Sequence, residues 1–159
     1  MRVDIVAVGK VKERHLAEAV EDYSVRLGRY CRLGMSIVQE EPFTESDSCA
    51  RKDELKALEA RKMLARIRPN SRVIACDLAG REMTSEQFAA FIENLGIASV
   101  SDLTFLIGGP QGFGPLALAR ADDRICFSKM TFPHQLMRVF LLEQIYRAFR
   151  IIRNEPYHY

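Results

Sequence analysis

Five short runs rich in β-branched and apolar residues mark the chain: "RVDIVAV" (2–8), "LGMSIVQE" (33–40), "RVIACDLAG" (72–80), "LTFLI" (103–107) and "RICFS" (124–128). Between them lie longer segments in which apolar residues recur every three or four positions, as Leu16, Ala19, Val20, Tyr23 and Leu27 do over 13–30. Strands that alternate with amphipathic helices pack as a mainly parallel sheet flanked by helices, so the pattern predicts an α/β fold. The other helices are expected over 51–67, with Leu55, Leu58, Met63, Leu64 and Ile67 inward, from a Thr84 or Ser85 cap to Leu95, over 116–121, and over 133–152. The third strand is expected to close at a turn on Gly80, and the acidic segment 41–50 reads as a loop.

A chain of 159 residues is expected to form one domain over 1–159, large enough to bury roughly two thirds of its unfolded surface without metals or disulfides. The four cysteines form no CxxC pair and there are only three histidines, so a metal site is not expected. Free thiols inside apolar runs (Cys76, Cys126) suit a reducing compartment. The opening "MRVDIVAVGK" does not read as a signal peptide, and no run reaches the ~18 apolar residues of a membrane span. A cytoplasmic protein with no membrane partner is the expectation.

The stretch "FLIGGPQGFG" (105–114) sets four glycines and a proline into the seven residues after a strand. In open α/β sheets, ligands bind beyond the carboxyl ends of strands. The spacing matches neither a dinucleotide fingerprint nor a Walker A loop, which argues against both ligand types. Main chain freed of Cβ atoms can approach a ligand closely, or can simply make a tight connection, and the spacing accommodates either.

On a helical wheel, the last helix carries Met137, Leu141, Leu142, Ile145, Ala148, Phe149 and Ile152 on one stripe. Leu136, Val139, Phe140, Tyr146 and Ile151 fall opposite, which implies a second packing partner, most simply a second copy of the chain. Arg138 stands in the core stripe, where it must snorkel out or meet an anion, and His134 shares that ambiguity. From Arg138 to Tyr159 there are four Arg against two Glu, equal to the whole net charge of +2, and Tyr157, His158 and Tyr159 add rings. Guanidinium groups with aromatics suit an RNA-facing surface.

Taken together, "VAVGK", "FLIGGPQGFG", "FSKMTFPHQLMRVFLLEQIYRAFRI" and "NEPYHY" closely resemble the small bacterial SPOUT-class methyltransferases that modify a pseudouridine of 23S ribosomal RNA at N3. The resemblance covers the whole chain. It implies S-adenosylmethionine as cofactor, a homodimer acting on 23S rRNA within the ribosome, and a trefoil knot in the carboxy-terminal half. It places the cofactor against Gly108 and the run Phe127, Ser128, Lys129, Met130, Thr131 and Phe132, with Cys76 where the family often has Leu. The N3 imide proton must leave, and His134, Arg138, Tyr157 and His158 are the candidates to take it or to stabilise the anion. The short tail is expected to complete the site of a second subunit. A non-catalytic ribosome-associated protein and a transfer RNA enzyme of the same class are the alternatives.

Overall fold

A computed structural model describes residues 1–157. Its elements follow in strict alternation: β1 (Arg2–Val8), α1 (Arg14–Leu27), β2 (Arg32–Val38), α2 (Cys49–Leu64), β3 (Arg72–Glu82), α3 (Ser85–Ile97), β4 (Asp102–Ile107), α4 (Pro115–Arg120), β5 (Asp123–Cys126) and α5 (His134–Ile152). The five strands form one sheet in the order β2-β1-β4-β3-β5, with every pairing parallel.

Both faces of the sheet are covered. Val3, Ile5 and Ala7 of β1 with Leu103, Phe105 and Ile107 of β4 pack against α1, α3 and α5. The alternate residues Val6, Val8, Val73 and Leu106 face Met63 of α2. Strands buried on both faces read as continuous apolar runs, which is why they stood out in the sequence.

Strand order sets the position of the cleft. From β1 the chain moves outward to β2, whereas from β4 it moves the other way to β5, so β1 and β4 are neighbours whose connections diverge. Such a switch point opens a crevice beyond the carboxyl ends of the two strands. Extending the register Ala7↔Ile107 sets Val8 opposite Gly108 and Gly9 opposite Gly109 at that switch point.

Several expectations need correction. β3 does not end at a turn on Gly80: it continues to Glu82, pairing with Ile125 at Cys76 and again at Arg81. A Cβ on Gly80 would lie 2.5 Å from the Ile125 carbonyl carbon, so only glycine lets this strand cross β5 so closely. On α2, Leu58 is exposed and the buried positions are Leu55, Glu59, Ala60 and Met63. On α5, Tyr146 is buried with the core instead of facing away, because rings of Tyr23 and Tyr30 meet it edge-on. The α3 cap is Thr84, in a reciprocal capping box with Gln87.

Candidate functional site

The glycine stretch after β4 folds back on itself. Gly112 N–H donates to Gly109 O at 2.9 Å, closing a turn with Pro110 second and Gly112 fourth, and Gly112 adopts φ +77°. A Cβ on Gly108 would stand 3.2 Å from the Gly112 carbonyl carbon. The turn therefore presents bare main chain toward the crevice.

Opposite lies the segment between β5 and α5. Cys126 Sγ donates to Ser128 O at 3.1 Å and Ser128 Oγ accepts from Met130 N–H at 3.0 Å, which holds the segment in a compact bend. Phe127 leans on Phe88 (ring centroids 6.4 Å apart), and Phe132 meets Phe140 edge-on at 5.2 Å.

Between these walls is a cavity of about 230 Å³. Of the cofactor residues expected from the sequence, Cys76, Gly108, Phe127, Ser128, Met130, Thr131 and Phe132 all line it, brought together from three separate stretches. Lys129 does not: it is exposed, with its ammonium 3.9 Å from Glu82. Lining residues that sequence reasoning missed are Asp77 and Leu78 of β3, Pro110 and Phe113 of the glycine turn, and Met137, assigned above only to the core. Pro110 and Phe113 belong to the glycine stretch already singled out, whereas Asp77, Leu78 and Met137 lie on distant elements and carried no local signal.

The chemistry of this lining is selective. Among the described residues it contains no Lys or Arg, and its one carboxylate, Asp77, is engaged by Arg124, whose Nε donates at 2.8 Å. A nucleoside phosphate would meet no cation there. Aromatic faces and exposed peptide groups instead suit a neutral base and a soft or cationic group. Burial pushes the Cys76 thiol well above the ordinary range, so it packs as a small apolar group without thiolate reactivity.

The proton-handling candidates separate. His134 lines the cleft beside Met137, half-buried, and burial holds its imidazole below the ordinary His range. Arg138 is fully buried and does not snorkel out; its NH2 donates to Val8 O at 2.7 Å and to Gly9 O, bracing the end of β1. It lies behind the lining and does not contribute to it.

Tyr157 sits elsewhere, its hydroxyl donating to Glu143 Oε1 at 2.7 Å on the chain's own α5, with the Arg147 guanidinium 4.1 Å from its ring centre. His158 lies outside the described residues. Among the described residues no group of three or more His, Cys, Asp or Glu is placed to hold a metal ion, and no helix is long and apolar enough to cross a membrane.

Comparison with known proteins gives a consistent answer. A family described as "Predicted SPOUT methyltransferase" matches residues 1–158. A Clostridium kluyveri protein named "Ribosomal RNA large subunit methyltransferase H" is 51% identical over 158 residues, covering 99% of both chains. Proteins of the same name from Clostridium beijerinckii and Clostridium acetobutylicum are 49% and 48% identical, each over 158 residues and 99% of both chains.

Proposed function

The chain belongs to the SPOUT methyltransferase family, and from that premise we propose that it transfers a methyl group from S-adenosylmethionine to N3 of a pseudouridine in 23S ribosomal RNA. The full-length relatives are named for ribosomal RNA, which favours that substrate over transfer RNA. In this reading the whole chain serves as one SPOUT domain. It works in the cytoplasm as a homodimer, the second copy packing on the side of α5 that carries half-buried Leu136, Val139 and Phe140.

One observation carries the reading. Segments 76–78, 107–113 and 125–134 converge on a single cleft at the carboxyl ends of β3, β4 and β5, and its lining among the described residues has aromatic and main-chain walls but no Lys or Arg. A sulfonium nucleoside fits such a lining where a phosphorylated one does not. Gly108, Gly109 and Gly112 would offer main-chain groups to it, and Phe127 and Phe132 would offer ring faces.

When bound, the donor supplies a methyl that is already electrophilic. The protein then has to align the attacking ring nitrogen, exclude water and receive the N3 proton. Among the proton-handling candidates within the described residues, His134 alone lines the cleft, and a largely neutral imidazole there can accept that proton.

Calorimetric titration with S-adenosylmethionine tests the donor site. Saturable binding is expected, and Met130→Ala, which trims the exposed lip of the cleft, should weaken it by about fivefold, a change of ~1 kcal/mol. No heat of binding at millimolar donor would overturn the proposal.

A further inference from the structure

The cleft leaves unexplained a set of charged groups on its β1 side. Gly9 ends β1 with φ +78°, and a Cβ there would stand 2.9 Å from Glu40 Oε2 and 3.2 Å from His134 Nε2. Carboxylate and imidazole thus face each other across a bare main-chain position, no more than about 6 Å apart, within the range over which one charge acts on another.

The groups that act on His134 are few. Burial, Arg138 one turn along α5 and Lys12 before α1 all disfavour its protonation, and Glu40, beyond the end of β2, alone opposes them. Arg138 has no carboxylate hydrogen-bonded to it, and its Nε and NH1 are buried without partners among the described residues. Among the described residues Glu40 is also the carboxylate that acts on Arg138 through space, so the positive field beneath His134 is balanced by Glu40 alone. A histidine so placed rests neutral and can take a proton, but the imidazolium it becomes needs a counter-charge.

We propose that Glu40 is a positioning residue for methyl transfer, its carboxylate balancing the charge that His134 gains across Gly9. The proposal rests on the reading that His134 receives the N3 proton. In that step the N3–H bond breaks, an N–H bond forms on the His134 ring, and the electron pair stays on N3. The pair then bonds to the donor's methyl carbon as its C–S bond breaks, with that bond's electrons remaining on sulfur. His134 afterwards returns the proton to solvent. Glu40 takes no bond to substrate, and it makes proton uptake less costly.

The test combines a titration with kinetics on the full-length protein. The His134 ring is followed by NMR against pH with no ligand added, and Glu40→Gln is expected to move its midpoint to lower pH. In methyl transfer to large ribosomal subunits, Glu40→Gln should lower kcat on the order of tenfold, less than the 10²–10⁴-fold expected for loss of the proton acceptor in His134→Gln. The acid limb of its pH profile should move with the titration, while donor affinity stays unchanged and Glu40→Asp recovers part of the rate.

If Glu40→Gln leaves both the midpoint and the acid limb in place while His134→Gln is inactive, Glu40 has no such role and the proposal is overturned. Full activity of His134→Gln would instead overturn the proton-acceptor reading beneath it, whatever the titration shows.

Discussion

Glu59 occupies a position on α2 where an apolar side chain would be expected. It is buried, its Oε1 accepts from Glu41 N–H at 2.9 Å, and its Oε2 lies 3.3 Å from where a Gly109 Cβ would be. Burial raises its carboxyl above the ordinary range, aided by Glu40 and Glu41 and opposed by the Glu41 N–H and Lys62. A raised carboxyl favours the fold below its unfolded value of about 4.3 and loses that contribution as pH rises through the folded one. Glu59→Gln should therefore unfold at higher temperature than the wild type at pH 8, and the gap should close by pH 4. A constant gap across that range, in melting curves followed by circular dichroism, would contradict the assignment. Two glycines make a second test. Gly112→Ala meets no neighbour but must hold φ +77°, for about 1–2 kcal/mol. Gly80→Ala must displace the backbone of β5 and should cost more, beyond about 3 kcal/mol, in urea unfolding. Neither residue's importance was legible in the sequence: Glu59 stands among the other charged residues of 51–62, and Gly80 read as an ordinary turn.

Among the elements, α5 shows how far periodicity reaches. The stripe Leu141, Leu142, Ile145, Ala148 and Phe149 is buried as its spacing requires. No residue from His134 to Ile152 is fully exposed, although the side with Leu136, Val139 and Phe140 is only half-buried within the described chain. Part of the helix's cover is the chain's own tail. Glu155 N–H donates to Arg150 O at 2.9 Å, Tyr30 donates to the Glu155 carboxylate at 2.5 Å, and Tyr157 reaches back to Glu143. The sequence showed that the helix needed a further partner but could not show that residues 154–157 supply some of it, because a fold-back of four residues has no period. Tyr157→Phe should lose about 1 kcal/mol in denaturant unfolding, since the Glu143 carboxylate keeps Arg147 as a partner. The α3 start was readable to within one residue, as a cap on Thr84 or Ser85, and Thr84→Ala is expected to cost about 1 kcal/mol by the same measurement.

For the molecule as a whole, the number and kind of elements could be read from local pattern, but the order of the sheet could not. That β4 inserts between β1 and β3 depends on pairings some hundred residues apart, Arg2↔Asp102 among them. Only that order sets the end of β1 beside the glycine turn after β4, with His134 against Gly9 and lining the same cleft as Gly108. Through the family resemblance the candidate cofactor residues other than Cys76 were therefore nameable from "FLIGGPQGFG" and "FSKMTF", whereas Glu40, reached across a neighbouring strand, was not. The proposed homodimer is checked by sedimentation equilibrium, where twice the 18.1 kDa chain mass is expected and a strictly monomeric chain would remove the second copy from the account. The most direct test of the central claim is methyl transfer in vitro: purified protein and S-adenosylmethionine are incubated with ribosomal subunits from a strain lacking this activity, and the RNA is mapped by mass spectrometry. One added methyl on N3 of a single 23S pseudouridine is the result predicted. Large-subunit RNA that stays unmodified with protein and donor in excess would contradict it.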